Sequence, residues 1–135
     1  MALLGLTASG VQADDAMILE VRVEKMENTE GRVVVALFTD AKSFLEKALI
    51  DQAVAIDGDQ AVARFEGLAP GTYAVSAYHD INDNDRLDRN FLGLPLEPYA
   101  FSNQAPVNLA PPTWEAARIV LDGPFKRIVI RLGEH

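Results

Sequence analysis

The chain has no cysteine, and its 135 residues include only two histidines and one tryptophan. Without cysteine there is no disulfide, no thiolate metal site and no thiol nucleophile. The histidines, His79 and His135, lie far apart in the sequence, which argues against a zinc site. The sequence also lacks a G-x-S-x-G nucleophile elbow and a glycine-rich phosphate loop. We therefore predict no catalytic residue and no organic cofactor.

Basic residues are also scarce, since 12 lysines and arginines stand against 20 acidic residues and give a net charge of −8. An acidic surface repels phosphate backbones and anionic lipid headgroups. The composition therefore argues against a nucleic-acid partner and against electrostatic binding to a membrane surface. It suits the binding of a cation.

Long apolar runs are missing too, and no segment reaches the roughly 20 apolar residues that cross a bilayer. Residues 2–11 are apolar and small, and Val11-Gln12-Ala13 fits a small-x-small cleavage site. This segment resembles the end of a secretory signal peptide cleaved after Ala13, although no lysine or arginine precedes Arg22. The other interpretation is a merely apolar N-terminal tail. We expect residues 1–13 to be a signal-peptide remnant and residues 14–135 to form one domain, exported to the periplasm or secreted.

The body of the chain reads as short strands separated by glycine and proline turns. Apolar and charged residues alternate, and β-branched residues cluster, as in half-buried and central strands. Asp57-Gly58 predicts a hairpin turn. A helix is predicted over residues 41–49, with Asp40 as its cap, and a helical turn after Thr113. The predicted fold is all-β, a single antiparallel β-sandwich of the transthyretin (prealbumin) type with about seven strands and one short helix. The predicted strands are residues 19–23, 32–38, 52–56, 61–65, 72–79, 117–121 and 126–132.

Residues 80–88 hold the most informative pattern, because oxygen-bearing groups recur at alternate positions. The spacing matches the first, third, fifth, seventh and ninth ligand positions of a calcium loop. The predicted Ca²⁺ ligands are Asp80, Asn82, Asn84, the Arg86 carbonyl and Asp88.

This loop departs from the EF-hand pattern at two positions. Asp85 stands where glycine is expected, and Phe91 stands where the bidentate glutamate is expected. Glu97 would replace that glutamate if it folded back onto the loop. No helical pattern flanks the loop, so the domain is not an EF-hand. The alternative interpretation is that its Asp and Asn side chains cap their own turns without a metal.

Two neighbours of the loop have a predicted role in the core. His79 shares a strand face with apolar residues, which is typical of a hydrogen-bonded core histidine. Residues 91–101 combine prolines with six large apolar side chains. Such a segment either closes one end of the core or presents an apolar patch to a partner; we expect the first.

The central block resembles one bacterial family in particular. It consists of residues 79–84, Leu87-Asp88 and residues 91–97, followed by residues 99–103 and Pro111-Pro112. Together with residues 65–75, it is similar to the uncharacterised family known as domain of unknown function 2141. That resemblance implies an exported protein without an assigned activity. The family pattern usually has glycine where this chain has Asp83 and Asp85.

Residues 65–75 also resemble transthyretin-like and collagen-adhesin B-type sandwiches. This weaker likeness supports the fold and says little about function. The Tyr-Arg-Gly-Ser motif of transthyretin-like hydrolases is absent, which disfavours that activity.

Two functional hypotheses remain from the sequence. The first is a non-enzymatic, calcium-stabilised module with an interaction or accessory role in the bacterial envelope. Its partner would be an envelope protein or a small ligand. The second is a small-ligand-binding protein or enzyme with a site under residues 91–101, using His79 and the loop carboxylates. A pocket holding His79, Tyr78 and Asp88 together would favour the second. A buried His79 beside a filled sandwich end would favour the first.

Overall fold

Two β-sheets pack face to face and enclose an apolar core. The computed structural model describes residues 16–89, 95–108 and 110–133. Within them the strands are β1 (Met17–Glu24), β2 (Arg32–Phe38), β3 (Ile50–Val54), β4 (Gln60–Leu68), β5 (Gly71–Asp80), β6 (Tyr99–Phe101), β7 (Ile119–Leu121) and β8 (Phe125–Arg131). A 3₁₀ turn (Ser102–Gln104) and a short helix α1 (Trp114–Ala117) complete the elements. The predicted all-β sandwich is confirmed.

The smaller sheet has the order β4-β1-β8, and the larger has the order β3-β2-β5-β6. β7 pairs with the first residues of β5. All pairs are antiparallel except β1 with β8, which run parallel. This parallel pair corrects the prediction of a purely antiparallel sandwich. It arises because β8, the last described strand, lies beside β1 and runs in the same direction.

The core follows the period-two alternation that the sequence shows. Leu19, Val21 and Val23 of β1 are fully buried, as are Val33 and Val35 of β2. The residues between them are only partly buried. Alternation buries one face of each strand, which removes apolar surface from water at about 25 cal/mol per Å².

Two glutamine side chains link the sheets at their lateral edges. Gln52 of β3 donates from Nε2 to the Arg64 carbonyl of β4, at 2.7 Å. On the opposite side, Gln104 accepts from the Arg131 backbone N–H at 2.6 Å and donates to the Arg131 carbonyl at 3.0 Å. The Gln104 amide thus satisfies both backbone groups of Arg131, as a neighbouring strand would.

The outer face of the larger sheet carries a second apolar cluster, which we call the outer cluster. Phe44 packs against this cluster and makes edge-to-face contacts with the rings of Phe38, Phe101 and Trp114 at 5.4–6.3 Å. The outer cluster consists of Ala74, Phe101, Ala105 and Ala117, with Phe44, Tyr99, Val107, Trp114 and Ala116 packed against it.

The predicted helix over residues 41–49 is wrong, and these residues form turns. Asp40 does cap the first turn, since its Oδ1 accepts from the Ser43 backbone N–H at 2.8 Å. That hydrogen bond lowers the pKa of Asp40. Leu45 then adopts a left-handed φ of 62°, which no helix accommodates.

The one α-helix among the described residues is short and lies later in the chain, at Trp114–Ala117. Thr113 caps it as predicted, with its side chain accepting from the Ala116 N–H. No helix of the described residues is long and apolar enough to span a membrane.

The predicted hairpin at Asp57-Gly58 is also wrong, although the tight turn itself forms. Asp57 and Gln60 exchange backbone hydrogen bonds of 2.8 and 3.3 Å, and Gly58 has the positive φ that the turn needs. Beyond the turn the flanking strands separate, because β3 pairs with β2 and β4 pairs with β1. The turn therefore carries the chain from one sheet to the other.

Candidate functional site

Asp80 ends β5, and the following loop winds around its side chain. Its carboxylate is fully buried. One oxygen accepts the Asn84 backbone N–H at 3.1 Å, and the other accepts the Asp85 N–H at 2.7 Å. A buried carboxylate is tolerated only when hydrogen bonds replace the water that it has lost. Asp80 therefore fixes the backbone of the loop from inside.

Three of the predicted calcium ligands lie together above the buried Asp80 side chain. Asn82 donates from Nδ2 to one Asp88 carboxylate oxygen at 2.5 Å, and Asn84 donates to the other at 2.8 Å. Asn84 Oδ1 in turn accepts the Arg86 backbone N–H at 3.1 Å. The structure thus gathers Asn82, Asn84 and Asp88, and it joins Asp80 to them through the backbone of Asn84.

Glu97 folds back onto the loop across nine residues. Its Oε2 accepts the Ile81 N–H at 2.8 Å and its Oε1 accepts the Asp88 N–H at 3.0 Å. The Leu96 N–H adds a 2.7 Å bond to the Asp88 carbonyl. Glu97 is only 7% exposed. In this arrangement both of its carboxylate oxygens accept backbone N–H groups, so that Glu97 closes the loop.

A second group of carboxylates lies on the same loop. Asp80, Asp83 and Asp85 offer oxygens that all lie within 4.8 Å of one another. The Arg32 guanidinium contacts two of them, with Nε 2.6 Å from Asp83 and an amino nitrogen 2.9 Å from Asp85. The hydrogen bond to Asp83, and the nearby negative charges, raise the pKa of Arg32.

The alternating ligand pattern did not include Asp83 and Asp85. Their φ angles are 57° and 63°, in the left-handed region that favours glycine. Four aspartates within nine residues were the sequence signal for this group. Its partner Arg32 is distant in sequence, and only the pairing of β2 with β5 brings it near.

His79 and Gly31 anchor the loop to the core. His79 is fully buried on the inner face of β5, with Nε2 2.6 Å from the Glu30 carbonyl oxygen. No described residue hydrogen-bonds its Nδ1. Gly31 packs so closely that a Cβ there would collide with the Asp80 and Ile81 carbonyls. The prediction of a hydrogen-bonded core histidine is confirmed.

Comparison with known proteins bears on this loop and the strands around it. A family model described as an uncharacterized protein conserved in bacteria matches residues 21–128. The chain belongs to this family, DUF2141. The matched region contains the 80–88 loop, Glu97 and Arg32, so the DUF2141 domain includes the whole candidate site. No curated protein and no solved structure matches the chain significantly.

Only part of segment 91–101 of this DUF2141 domain is described. Residues 91–94, including Phe91, lie outside the described residues. Glu97, Ala100 and Phe101 are buried, whereas Leu96 is 62% exposed. Residues 99–101 form β6 beside β5, so this part extends a sheet where an end closure was expected.

A separate groove of about 790 Å³ lies on the outer face of the larger sheet. Tyr78 and Tyr99 line it, but neither His79 nor Asp88 does. Burial, and then the charges of nearby carboxylates, raise the pKa of Tyr78 to about 12. The DUF2141 fold thus separates Tyr78 from the two residues that the ligand-site hypothesis groups with it.

Proposed function

We propose that this DUF2141 protein is an exported, non-enzymatic β-sandwich module whose 80–88 loop binds Ca²⁺. It would act in the bacterial envelope, either by interacting with another molecule or in an accessory role. The observation that carries the proposal is the arrangement of oxygen-bearing side chains on one short loop, which Glu97 and Asp80 hold in shape through backbone hydrogen bonds.

The donor set fits a hard cation. Ca²⁺ takes six to eight oxygens at about 2.3–2.6 Å, so oxygens on opposite sides of the ion lie roughly 5 Å apart. One carboxylate oxygen each of Asp80, Asp83 and Asp85 lies within 4.8 Å of the others, which is inside that span, although only Asp80 of these three belongs to the proposed ligand set. Every side chain in the proposed ligand set offers oxygen, and none offers sulfur or imidazole.

The two asparagines can serve either of the arrangements predicted for this loop. Their amide nitrogens now donate to Asp88 at 2.5 and 2.8 Å. A half-turn of an amide exchanges its nitrogen for its oxygen at nearly the same place. Asn82 would then turn an acceptor toward a cation that Asp88 also binds, and Asn84 would do the same by giving up the bond that its Oδ1 accepts from the Arg86 N–H. The metal-free turn and the calcium loop therefore share one backbone.

The charges on the loop also favour a bound cation. Arg32 pairs with Asp83 and Asp85. No lysine or arginine among the described residues forms an ion pair with Asp80 or Asp88, whose hydrogen bonds come from neutral amides. A divalent cation would give these two carboxylates a direct ionic partner.

Burial of His79 supports the module over a ligand site built on that residue. Its side chain has no exposed surface, and it lies on the core face of β5. A group that takes part in chemistry needs to reach a substrate. The groove beside Tyr78 does not include it.

Calorimetric titration of the purified domain with CaCl₂ tests the calcium proposal. We expect saturable binding, and weaker heats with Mg²⁺, which demands a tighter octahedral shell. Replacing Asn82→Ala together with Asp88→Asn removes two proposed ligands and should weaken Ca²⁺ affinity by more than about tenfold, or 1.4 kcal/mol. Asp122→Asn, which removes one acidic charge in the turn after β7, is the matched control and should bind normally.

A second pair of variants separates the two oxygen groups. Asp83→Gly with Asp85→Gly removes two carboxylates at left-handed positions, where glycine fits without strain. We expect this pair to weaken binding only a few-fold, through lost charge. Loss of binding here, with normal binding by the first pair, would move the ion to the Asp80–Asp83–Asp85 group. No binding heat for the parent protein would overturn the proposal.

Export has its own test. Protein recovered from the periplasm or medium of a bacterial host should have the intact mass of a chain that begins at Asp14, after the small-x-small site. Recovery solely from the cytoplasm, with Met1 retained, would contradict export.

A further inference from the structure

Strand β8 lies at one edge of the smaller sheet, and among the described residues it pairs only with β1. The two ends of this pairing show which way the backbone of β8 faces. The Pro124 carbonyl accepts the Ile18 N–H at 3.0 Å, and the Leu132 N–H donates to the Glu24 carbonyl at 3.0 Å. Because backbone groups alternate in direction along a strand, the even-numbered residues from 124 to 132 point to β1.

The odd-numbered residues of β8 point away from β1. Gln104 meets both backbone groups of Arg131 on that side. By the same alternation, Phe125, Arg127 and Val129 direct their N–H and C=O groups to this open side. No described residue hydrogen-bonds those groups. Gln104 therefore closes only the last residue of an edge that is otherwise free.

Apolar side chains flank the open edge on both faces of the sheet. Phe125 and Val129 lie on the outer face and are 45% and 36% exposed. Ile128 lies on the inner face, where it is partly buried against the core. A strand laid along β8 would bond the free backbone groups and cover these side chains. Edges of this kind are templates for strand addition.

The charge of β8 selects among occupants. The strand carries Lys126, Arg127 and Arg131 and no acidic residue, in a chain of net charge −8. Arg127 pairs with Glu20 of β1, whereas Lys126 and Arg131 form no ion pair among the described residues. A second copy of this chain would bring β8 against β8 and place like charges together, which is destabilising. An acidic strand would instead supply partners for the two unpaired cations.

We propose that the β8 edge binds an extended acidic segment of a partner protein by strand addition. The backbone of the segment would pair with Phe125, Arg127 and Val129. Its carboxylates would lie near the basic residues of β8, and its apolar side chains would cover Ile128. Backbone hydrogen bonds supply affinity in this mode of recognition, and alternate side chains supply specificity. The proposal uses none of the proposed Ca²⁺ ligands and stands without them.

Amide exchange followed by NMR tests the open edge in the protein alone. The N–H groups of Arg127 and Val129 should exchange with solvent at least about tenfold faster than those of Lys126 and Ile128, which bond β1. Slow exchange at Arg127 and Val129 in the free protein would overturn the open edge.

Two matched peptides test the charge of the partner. The probe alternates valine and glutamate over seven residues, the length of β8, with both ends blocked, and its control has lysine in place of glutamate. At low salt the acidic peptide should bind with a Kd at least about tenfold lower than the basic one. It should also slow amide exchange at Arg127 and Val129 by at least about tenfold. Added salt should narrow the difference in affinity, since exposed charges are screened.

Substitutions in β8 test the place of binding. Val129→Pro removes an outward N–H and spares the bonds to β1, because proline is tolerated on the open side of an edge strand. It should abolish binding of the acidic peptide, whereas Val129→Thr keeps the N–H and should bind as the parent protein does. Lys126→Gln with Arg131→Gln should weaken binding by about tenfold. Lys42→Gln with Lys47→Gln removes two exposed charges in the turns after β2 and should leave the affinity unchanged.

Four outcomes would overturn the proposal. They are equal affinity for the two peptides, no binding of the acidic peptide up to about 1 mM, binding that leaves amide exchange at Arg127 and Val129 unchanged, and binding that survives a folded Val129→Pro. A dimer of the parent protein that Val129→Pro dissociates, measured by sedimentation, would assign the edge to a second copy and overturn the acidic partner. If Val129→Pro does not fold, the exchange measurement on the parent protein with peptide decides alone.

Discussion

Glu97 Oε1 accepts the backbone N–H of Asp88 at 3.0 Å, although Glu97 lies nine positions after Asp88 in the sequence. The other oxygen of Glu97 accepts the Ile81 N–H at 2.8 Å. A single buried carboxylate therefore holds both ends of the 80–88 loop. Such a prior arrangement of the loop would reduce the ordering cost of binding the proposed cation.

Removing the Glu97 carboxylate should destabilise the domain. Glu97→Ala leaves two partly buried backbone N–H groups without their partner, which should cost about 1–3 kcal/mol in all, the range for one unsatisfied buried group. Glu66→Ala, at an exposed glutamate on β4, should change the free energy of unfolding little. Urea unfolding of both variants measures the difference. Equal stability of the two would mean that Glu97 does not hold the loop.

Gly31 should tolerate no side chain. Gly31→Ala adds a Cβ that collides with the Asp80 and Ile81 carbonyls, and it also places alanine at a positive φ, which costs about 1–2 kcal/mol by itself. Gly67→Ala is the matched control, because Gly67 has nearly the same φ and open space around the added Cβ. We expect Gly31→Ala to cost at least about 2 kcal/mol more than the control, in the range of overpacking. Similar losses for both would contradict the close approach.

Phe101 should contribute to stability as a core residue does. It is 6% exposed and belongs to the outer cluster. Phe101→Ala should cost on the order of 3 kcal/mol in denaturant unfolding. Leu96→Ala in the same segment, where the side chain is 62% exposed, should cost under about 0.5 kcal/mol. A loss for Phe101→Ala as small as for Leu96→Ala would mean that this part of the segment is a surface patch.

Tyr78 should make stability depend on alkaline pH. Its pKa lies at about 12 in the folded protein, above the ordinary value of 10.0, because burial disfavours the phenolate. The stabilisation is therefore fully present below about pH 10, and it is lost as the pH rises toward 12. Tyr78→Phe should flatten this part of the stability curve, which urea unfolding along a pH series measures. An unchanged slope would contradict the assignment.

The parts of the fold that follow from local pattern were predictable. The alternation in β1 and the β-branched run of β2 predict that these residues form strands and which face of them is buried. The pairing of strands was not predictable, because the Asp57-Gly58 turn specifies only its own four residues. The distant partners of β3 and β4 send them into different sheets. At Leu45, packing of Phe44 into the outer cluster accompanies a left-handed turn that overrides helix propensity.

The candidate site also has one part that the local sequence predicts and another part that depends on strand pairing. The spacing of Asp80, Asn82, Asn84 and Asp88 was visible because all four lie on one loop. The contribution of Arg32 was not visible, because Arg32 lies 51 positions before Asp83 in the sequence and only strand pairing brings the two together. The groove needs two strands and the outer cluster in place, so no sequence motif marks it.

Thermal unfolding in calcium and in chelator tests the central claim most directly. A ligand that binds only the folded state stabilises it by about 2.7 kcal/mol at a hundredfold excess over Kd. We therefore expect the Tm to rise by several degrees in millimolar CaCl₂ and to fall with a chelator. The Asn82→Ala, Asp88→Asn double variant, with affinity at least about tenfold weaker, should show no more than about half of this stabilisation at the same calcium concentration. Superimposable curves for the parent protein in calcium and in chelator, across the millimolar range, would contradict a calcium-stabilised module.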